Sequence, residues 1–164
     1  MSGSVHLVEE YGPSWSPGPY ELGTDGPRLV LVGVDGSPTS LRAAAFAAGL
    51  ARRQGSRLAV VYVATPSMWT GIGTVPMSAV QEQLFNELID DLRRQIRERV
   101  DEIAVPVTFM VRRGDAFNEL RDAATDMKAD SVVVGASEQS GHRLIGSVAV
   151  RLVRVGRWPV TVVP

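Results

Sequence analysis

The residues best suited to chemistry in this chain are a glycine–serine pair near its end. Gly146-Ser147 stands directly before a predicted helix, so its main-chain N–H groups and the Ser147 hydroxyl point where the helix dipole favours an anion. Arg143 lies just before this turn, and no acidic residue follows Glu138, so the neighbourhood is locally positive. The pattern predicts a phosphate site.

A second candidate is Asp35, which ends the first predicted strand and could accept a hydrogen bond from a ribose hydroxyl or help to hold magnesium. Both candidates also have structural interpretations. Asp35 could serve only its own Asp-Gly turn. Ser147 could simply cap its helix, with Arg151, Arg154 and Arg157 on a solvated face.

Other kinds of site are disfavoured by what the sequence lacks. The first strand is not followed by G-x-G-x-x-G, and no Gly-Lys-Ser/Thr loop occurs, which argues against dinucleotide and Walker-type binding. Because apolar residues and glycine precede Asp35, the acidic cluster of a phospho-receiver is missing. His6 and His142 fall in separate segments, so we predict no catalytic residues and no protein metal site.

Composition limits the partners. With 17 basic and 18 acidic residues the net charge is -1, so no global field would attract nucleic acid or an anionic membrane. Cysteine is absent, which is simplest to reconcile with a reducing cytoplasm. Glu9 and Glu10 occupy the place where a secretory signal would be basic and then apolar.

The elements that must position these residues alternate between strand and helix. The predicted strands are Arg28–Val34, Leu58–Val63, Val105–Val111, Ser131–Val134 and Val160–Val163; the predicted helices begin at Pro38, Ser78, the Gly114-Asp115 turn and Val148. Alternation predicts a three-layer α/β sandwich with a five-stranded parallel sheet of order 3-2-1-4-5. Pro106 predicts that the third strand is an edge.

This strand order gives both candidates one location. The chain reverses direction between strands one and four, and ligands bind at such a switch point, outside the carboxyl ends of the strands. Asp35 and Gly146-Ser147 should therefore face each other across one crevice. Residues 1–27, rich in glycine, proline and serine and without periodicity, are predicted to be a flexible extension of a domain formed by residues 28–164.

Three segments of residues 28–164 resemble the universal stress protein family. They are Val34-Asp35-Gly36-Ser37, the Gly114-Asp115 turn, and Val132-Val-Val-Gly135 with Ile145-Gly146-Ser147 and the closing Pro159-Val-Thr-Val-Val run. The resemblance implies a flavodoxin-like domain, usually dimeric, that in one branch binds ATP through a G-x(2)-G-x(9)-G-[S/T] loop. Pairing of strand 160–163 with a second copy would account for a dimer.

Carried over residue by residue, the resemblance places a nucleotide in the crevice. Asp35 and Val63 would lie near ribose and adenine with Val34 and Ala64 beside them, and Gly135, Gly146 and Ser147 near phosphates.

The loop departs from the family pattern. Glu138 replaces the second glycine, and the spacer to Gly146 is two residues shorter. A carboxylate at the place of the second glycine repels phosphate. Gly141 could restore the backbone freedom of that glycine from a shifted position, and Ser137 could donate a hydrogen bond to a phosphate.

Three functions follow as hypotheses. The first is a stress-response regulatory module that binds an adenine nucleotide, which could be ATP, AMP or cyclic AMP, with or without magnesium. The second is a dimeric interaction module of the same fold whose cleft is empty or filled by its own loop. The third is a slow ATP hydrolase, for which the sequence supplies no plain water-positioning group.

Overall fold

The computed structural model describes residues 5–14, 28–65, 79–137 and 145–164. Its elements are β1 (Val5–Tyr11), β2 (Leu29–Val34), α1 (Pro38–Gln54), β3 (Arg57–Ala64), α2 (Ala79–Ile103), β4 (Val107–Arg113), α3 (Ala116–Asp126), β5 (Ser131–Gly135), α4 (Ser147–Val155) and β6 (Val160–Val163). None of the helices described here is long and apolar enough to cross a membrane.

The elements form one sheet of order β1-β4-β3-β2-β5-β6 between two helical layers. One apolar cluster packs α1 and α2 against the sheet, and a second packs α3 and α4 against its other face. The five strands from β2 to β6 pair in parallel, which confirms the predicted order 3-2-1-4-5 for those strands and the three-layer flavodoxin-like class.

Two predictions about the edge of the sheet are wrong. Residues 5–11, predicted to belong to a flexible extension, form β1 and pair antiparallel with β4. Strand β4 is therefore interior, although Pro106 suggested an edge. Pro106 lies just before the strand, where its missing N–H is not needed and its carbonyl accepts the Leu58 N–H at 2.9 Å.

Helix α1 follows the sequence signals closely, and its start forms part of the crevice described below. The Ser37 hydroxyl caps it by accepting the Ser40 N–H, and Pro38 occupies the first helical position. The helix ends at Gly55, whose φ of 62° lies in the left-handed region that glycine adopts without strain. Ser37 and Pro38 thus fix where the helix starts relative to the end of β2, and Gly55 fixes where it ends.

Candidate functional site

A cleft of about 450 Å³ opens at the carboxyl ends of β2 and β5, where the strand order reverses. That volume is within the usual range for small-molecule sites, about 300–1,000 Å³. Seven of the predicted site residues line it: Val34, Asp35, Val63, Gly135, Ser137, Gly146 and Ser147. The fold thus brings the predicted ribose side and the predicted phosphate side to a single opening.

The other three predicted site residues are Ala64, Gly141 and Arg143. Ala64 does not line the cleft; its side chain is buried in the cluster under α1 and α2, because successive residues of a strand point to opposite faces of the sheet. Gly141 and Arg143 lie outside the described residues, as does Glu138.

Asp35 forms one wall of the cleft together with the start of α1, which we call the α1 wall. Its Oδ1 accepts the Ser37 N–H at 2.9 Å, and its own N–H donates to the Ser40 hydroxyl at 3.3 Å. The Ser40 hydroxyl in turn donates to the Ser37 carbonyl at 2.9 Å. These bonds close a compact turn, so Asp35 fixes its own turn and also lines the cleft.

The protonation of Asp35 reflects two opposing influences. Burial in the cleft wall is the largest single influence and would raise the pKa, but hydrogen bonds from Ser37 and Ser40 together hold the pKa of the Asp35 carboxyl below its usual range. Asp35 is therefore ionised at neutral pH, which suits it to accept a hydroxyl proton or to approach a cation.

Gly135 serves packing between β5 and the α1 wall. A Cβ atom at this position would lie 2.7 Å from the Thr39 carbonyl carbon and 2.8 Å from the Ser40 nitrogen, closer than real contacts permit. The glycine therefore allows the start of α1 to rest against the end of β5, a reason that the sequence motif alone does not reveal.

The opposite wall, which we call the α4 wall, is the first turn of α4. Gly146 is the N-cap and gives no side-chain hydrogen bond, while its carbonyl accepts the Val150 N–H at 3.1 Å. Ser147 is the first helical residue, so it does not cap α4 as the structural interpretation required. Because the amides of Ser147, Val148 and Ala149 precede the first intrahelical bond and these residues line the cleft, this turn is suited to an anion.

The α4 wall is braced from behind by α3. Arg151 contacts Asp115, with a nitrogen–oxygen distance of 3.3 Å, and its guanidinium lies 3.9 Å from the centre of the Phe117 ring. Asp115 also caps α3 by accepting the Asn118 N–H at 3.0 Å. Arg151 therefore has a specific position in addition to being partly solvated, and Asp115 connects two helices that border the cleft.

Sequence reasoning missed several lining residues, notably the hydroxyl groups of Thr39, Ser40 and Thr65. Thr39 and Ser40 are buried and could have been anticipated, since they lie in the first turn of a helix that begins beside Asp35. Asp35 is the one charged residue among the described residues that line the cleft.

A resident metal site is not built by these side chains. Within residues 5–14, 28–65, 79–137 and 145–164, no group of three or more His, Cys, Asp and Glu side chains is placed to hold a metal ion. A magnesium ion bound mainly by substrate phosphates would need only one or two carboxylates from the protein, and Asp35 is positioned to supply one.

A doubly wound α/β domain with a cleft at its switch point is typical of proteins that bind small ligands. Within that class, the model of the universal stress protein family matches residues 27–164, so the chain belongs to the universal stress protein family.

Individual relatives agree with this assignment. A universal stress protein of Methanocaldococcus jannaschii is 27% identical over 138 residues, which is 83% of this chain and 81% of the relative. The structure of UspA from Lactobacillus plantarum has a TM-score of 0.69 at 22% identity, covering 85% and 99% of the two chains. A universal stress protein solved in complex with cAMP has a TM-score of 0.61 at 26% identity, covering 84% and 97%.

Proposed function

We propose that the chain is a regulatory module of the stress response that binds an adenine nucleotide in the cleft between Asp35 and the first turn of α4. The observation that carries this proposal is the pairing of an ionised carboxylate on one wall with first-turn helix amides on the other, to which the N-cap residue Gly146 gives no side-chain bond. A nucleotide needs both, because its ribose hydroxyls donate hydrogen bonds and its phosphate accepts them.

The phosphate belongs at the α4 wall. The amides of Ser147, Val148 and Ala149 and the Ser147 hydroxyl offer donors, and the dipole of a nine-residue helix favours negative charge there. Ser137 lies next to Gly146, whose Cβ position is 3.3 Å from the Ser137 Cβ, so a second hydroxyl borders the same spot.

The ribose belongs beside Asp35, with the base along Val34 and Val63, which line the same cleft. Where magnesium accompanies the phosphates, Asp35 is the carboxylate that would share it. Since the described lining residues include no histidine, lysine or arginine, we favour binding and signalling over hydrolysis. The relative solved with cAMP supports an adenine nucleotide as the ligand class.

The nucleotide state would pass to partners through a homodimer. Strand β6 ends the sheet, and its Val160-Thr-Val-Val163 sequence carries neither charge nor proline on an edge that a second copy can extend. Light scattering should give twice the mass of one chain, whereas the mass of a single chain would exclude this assembly.

The test of ligand binding is a titration of the purified protein with ATP, AMP and cyclic AMP while the melting temperature is followed. A ligand at 100 times its Kd stabilises the folded state by about 2.7 kcal/mol, a readily measured shift. Pyrophosphate serves as the control for phosphate contacts alone. No shift at millimolar nucleotide would contradict the proposal.

A variant then locates the site. Gly146→Val should abolish binding, because the added side chain stands over the amides that receive phosphate. Ser147→Ala keeps those amides and is expected to weaken binding by about tenfold at most, the worth of one hydrogen bond. Unchanged affinity in Gly146→Val, with the fold intact by circular dichroism, would place the ligand elsewhere.

A second candidate is an interaction module whose cleft holds no nucleotide, and one sequence feature favours it. Glu138 stands where the family's phosphate loop has its second glycine, and a carboxylate at that place repels phosphate. Glu138→Gly distinguishes the two functions: it should raise nucleotide affinity if the cleft is a working site, and should change nothing in an interaction module.

A further inference from the structure

Strand β1 is an addition to the domain that the family defines. The family match begins at residue 27, whereas β1 comprises Val5–Tyr11 and completes the sheet at its β4 edge. Its pairing with β4 runs from Val5 opposite Arg112 to Tyr11 opposite Val107. The strand is therefore held by main-chain hydrogen bonds to residues about a hundred positions away in sequence.

Side chains hold β1 through specific polar contacts as well. The Glu9 carboxylate accepts hydrogen bonds from the Arg93 guanidinium of α2, with nitrogen–oxygen distances of 2.8 to 3.0 Å. The Tyr11 hydroxyl also donates to Glu9, at 2.8 Å. On the other face of the strand, Thr108 of β4 donates to Glu10 at 2.8 Å. The β4 edge is thus matched to an extended strand with acidic side chains at two adjacent positions.

Strand β1 covers the β4 edge, which would otherwise be open to pairing with strands of other molecules. Residues Val107–Val111 are buried and apolar apart from Thr108, so an uncovered β4 would offer a row of free amides beside an apolar surface. Strand β1 instead carries two glutamates and a register irregularity between Val5 and Leu7, which are features that discourage further pairing.

The connection to the domain leaves β1 ample length. Seventeen residues, 12 to 28, join Tyr11 to Leu29, and they can extend over at most about 55 Å. Three strand spacings separate β1 from β2, which is about 14 Å, and because β1 runs opposite to β2, Tyr11 and Leu29 lie at the same end of the sheet. The strand can therefore leave its place without unfolding the domain.

We propose that the β4 edge is a strand-binding site that residues 5–11 occupy reversibly, and that the same residues of a second copy bind there in exchange. The contacts within one chain and between two chains are identical, so the balance depends on concentration. A connection of this length gives an effective concentration on the order of 1 mM, so about a tenth of the strands are exchanged at 0.1 mM protein.

The chain of 164 residues contains no cysteine, which permits a direct test. Val8 lies opposite Met110 in the β1–β4 register, and directly opposed residues in antiparallel strands have Cα separations that suit a disulfide. Two variants, Val8→Cys and Met110→Cys, are mixed under mild oxidation at about 10 to 500 μM, which is from about a hundredth to about a half of the estimated effective concentration. A disulfide-linked pair containing one of each should form and increase with concentration.

Two controls make the outcome decisive. Mixing Val8→Cys with Val153→Cys, whose site is exposed on α4, measures random collision, and the expected excess over it is at least tenfold. The double variant Val8→Cys/Met110→Cys in one chain should close internally at low concentration and proves that the two positions meet. If the double variant closes but the mixed single variants link no more than the collision control, strand exchange does not occur.

Charge reversal identifies the recognition chemistry. Glu9→Lys places like charge against Arg93 and should speed linkage of the mixed variants by up to about fivefold, because release of β1 becomes easier. Adding Arg93→Glu restores the pair with exchanged signs and should return the rate toward its original value. An unchanged rate in Glu9→Lys would show that the acidic pattern does not hold the strand.

Discussion

The two walls of the cleft are built on opposite principles. On the α1 wall the Asp35 turn is held by its own hydrogen bonds, which join Asp35, Ser37 and Ser40. On the α4 wall the first turn of the helix has an N-cap without a side-chain bond. One wall is stabilised by side-chain hydrogen bonds within its own turn, whereas the N-cap residue of the other supplies none.

This difference separates two glycines that the family motif treats alike. Gly135 has no room for a side chain because the backbone of α1 rests on it, whereas a Cβ at Gly146 would meet only the Ser137 Cβ at 3.3 Å. Gly146 also has an ordinary φ of -63°. The fold therefore requires the first glycine, whereas the described contacts at the second would need only a small adjustment to accept a side chain.

The largest expected effect tests this division directly. Gly135→Ala should destabilise the protein by about 1–3 kcal/mol, because the added methyl forces α1 away from β5. Gly146→Ala, the matched control, should cost less than about 1 kcal/mol. Urea unfolding of both variants measures the difference, and equal losses would refute the division.

A smaller effect tests how the α4 wall is supported. Asp115→Ala removes both the α3 cap and the contact with Arg151, and should cost about 1 kcal/mol. Asp115→Asn keeps a capping oxygen and loses only the ion pair, so its unfolding free energy should stay close to the original. Nucleotide affinity that falls in both variants would show that the Arg151 contact positions α4. A fall only in Asp115→Ala would assign the support to the cap.

The smallest effect concerns acid. Because the folded pKa of Asp35 is lowered, its hydrogen bonds contribute stability that is present at neutral pH and is lost as the pH falls below about 4, through the lowered value. Asp35→Asn keeps an oxygen for the Ser37 N–H but does not titrate, so its unfolding free energy should decline less between pH 6 and pH 3, a range that includes the pKa of about 3.9 of an unfolded Asp carboxyl. An identical decline in both proteins would show that ionisation of Asp35 does not contribute to the pH dependence of stability.

Much of this architecture follows from local sequence. Ser37, Pro38 and Gly55 mark both ends of α1, and apolar runs mark each parallel strand. Once their alternation fixes the strand order, the meeting of Asp35 with Gly146-Ser147 follows from topology. These features can be predicted from short segments of sequence together with the rule that crossovers between parallel strands are right-handed.

What the sequence hides depends on tertiary distance. Strand β1 pairs with a strand about a hundred residues away in sequence. The two consecutive glutamates of β1 also break the alternation of apolar and polar residues that marks a strand. The packing role of Gly135 appears only when α1 is placed against β5. Ala64 follows Val63 directly and yet faces the other side of the sheet, a parity that a motif alignment does not convey.

Strand β1 is synthesised long before β4, the strand with which it pairs. Residues 5–11 emerge from the ribosome before the other described elements, but the strand they pair with is not complete until Arg113 has been made. The nascent chain therefore carries an unpaired strand while most of the sheet is being synthesised, and its two glutamates keep that waiting segment charged and soluble.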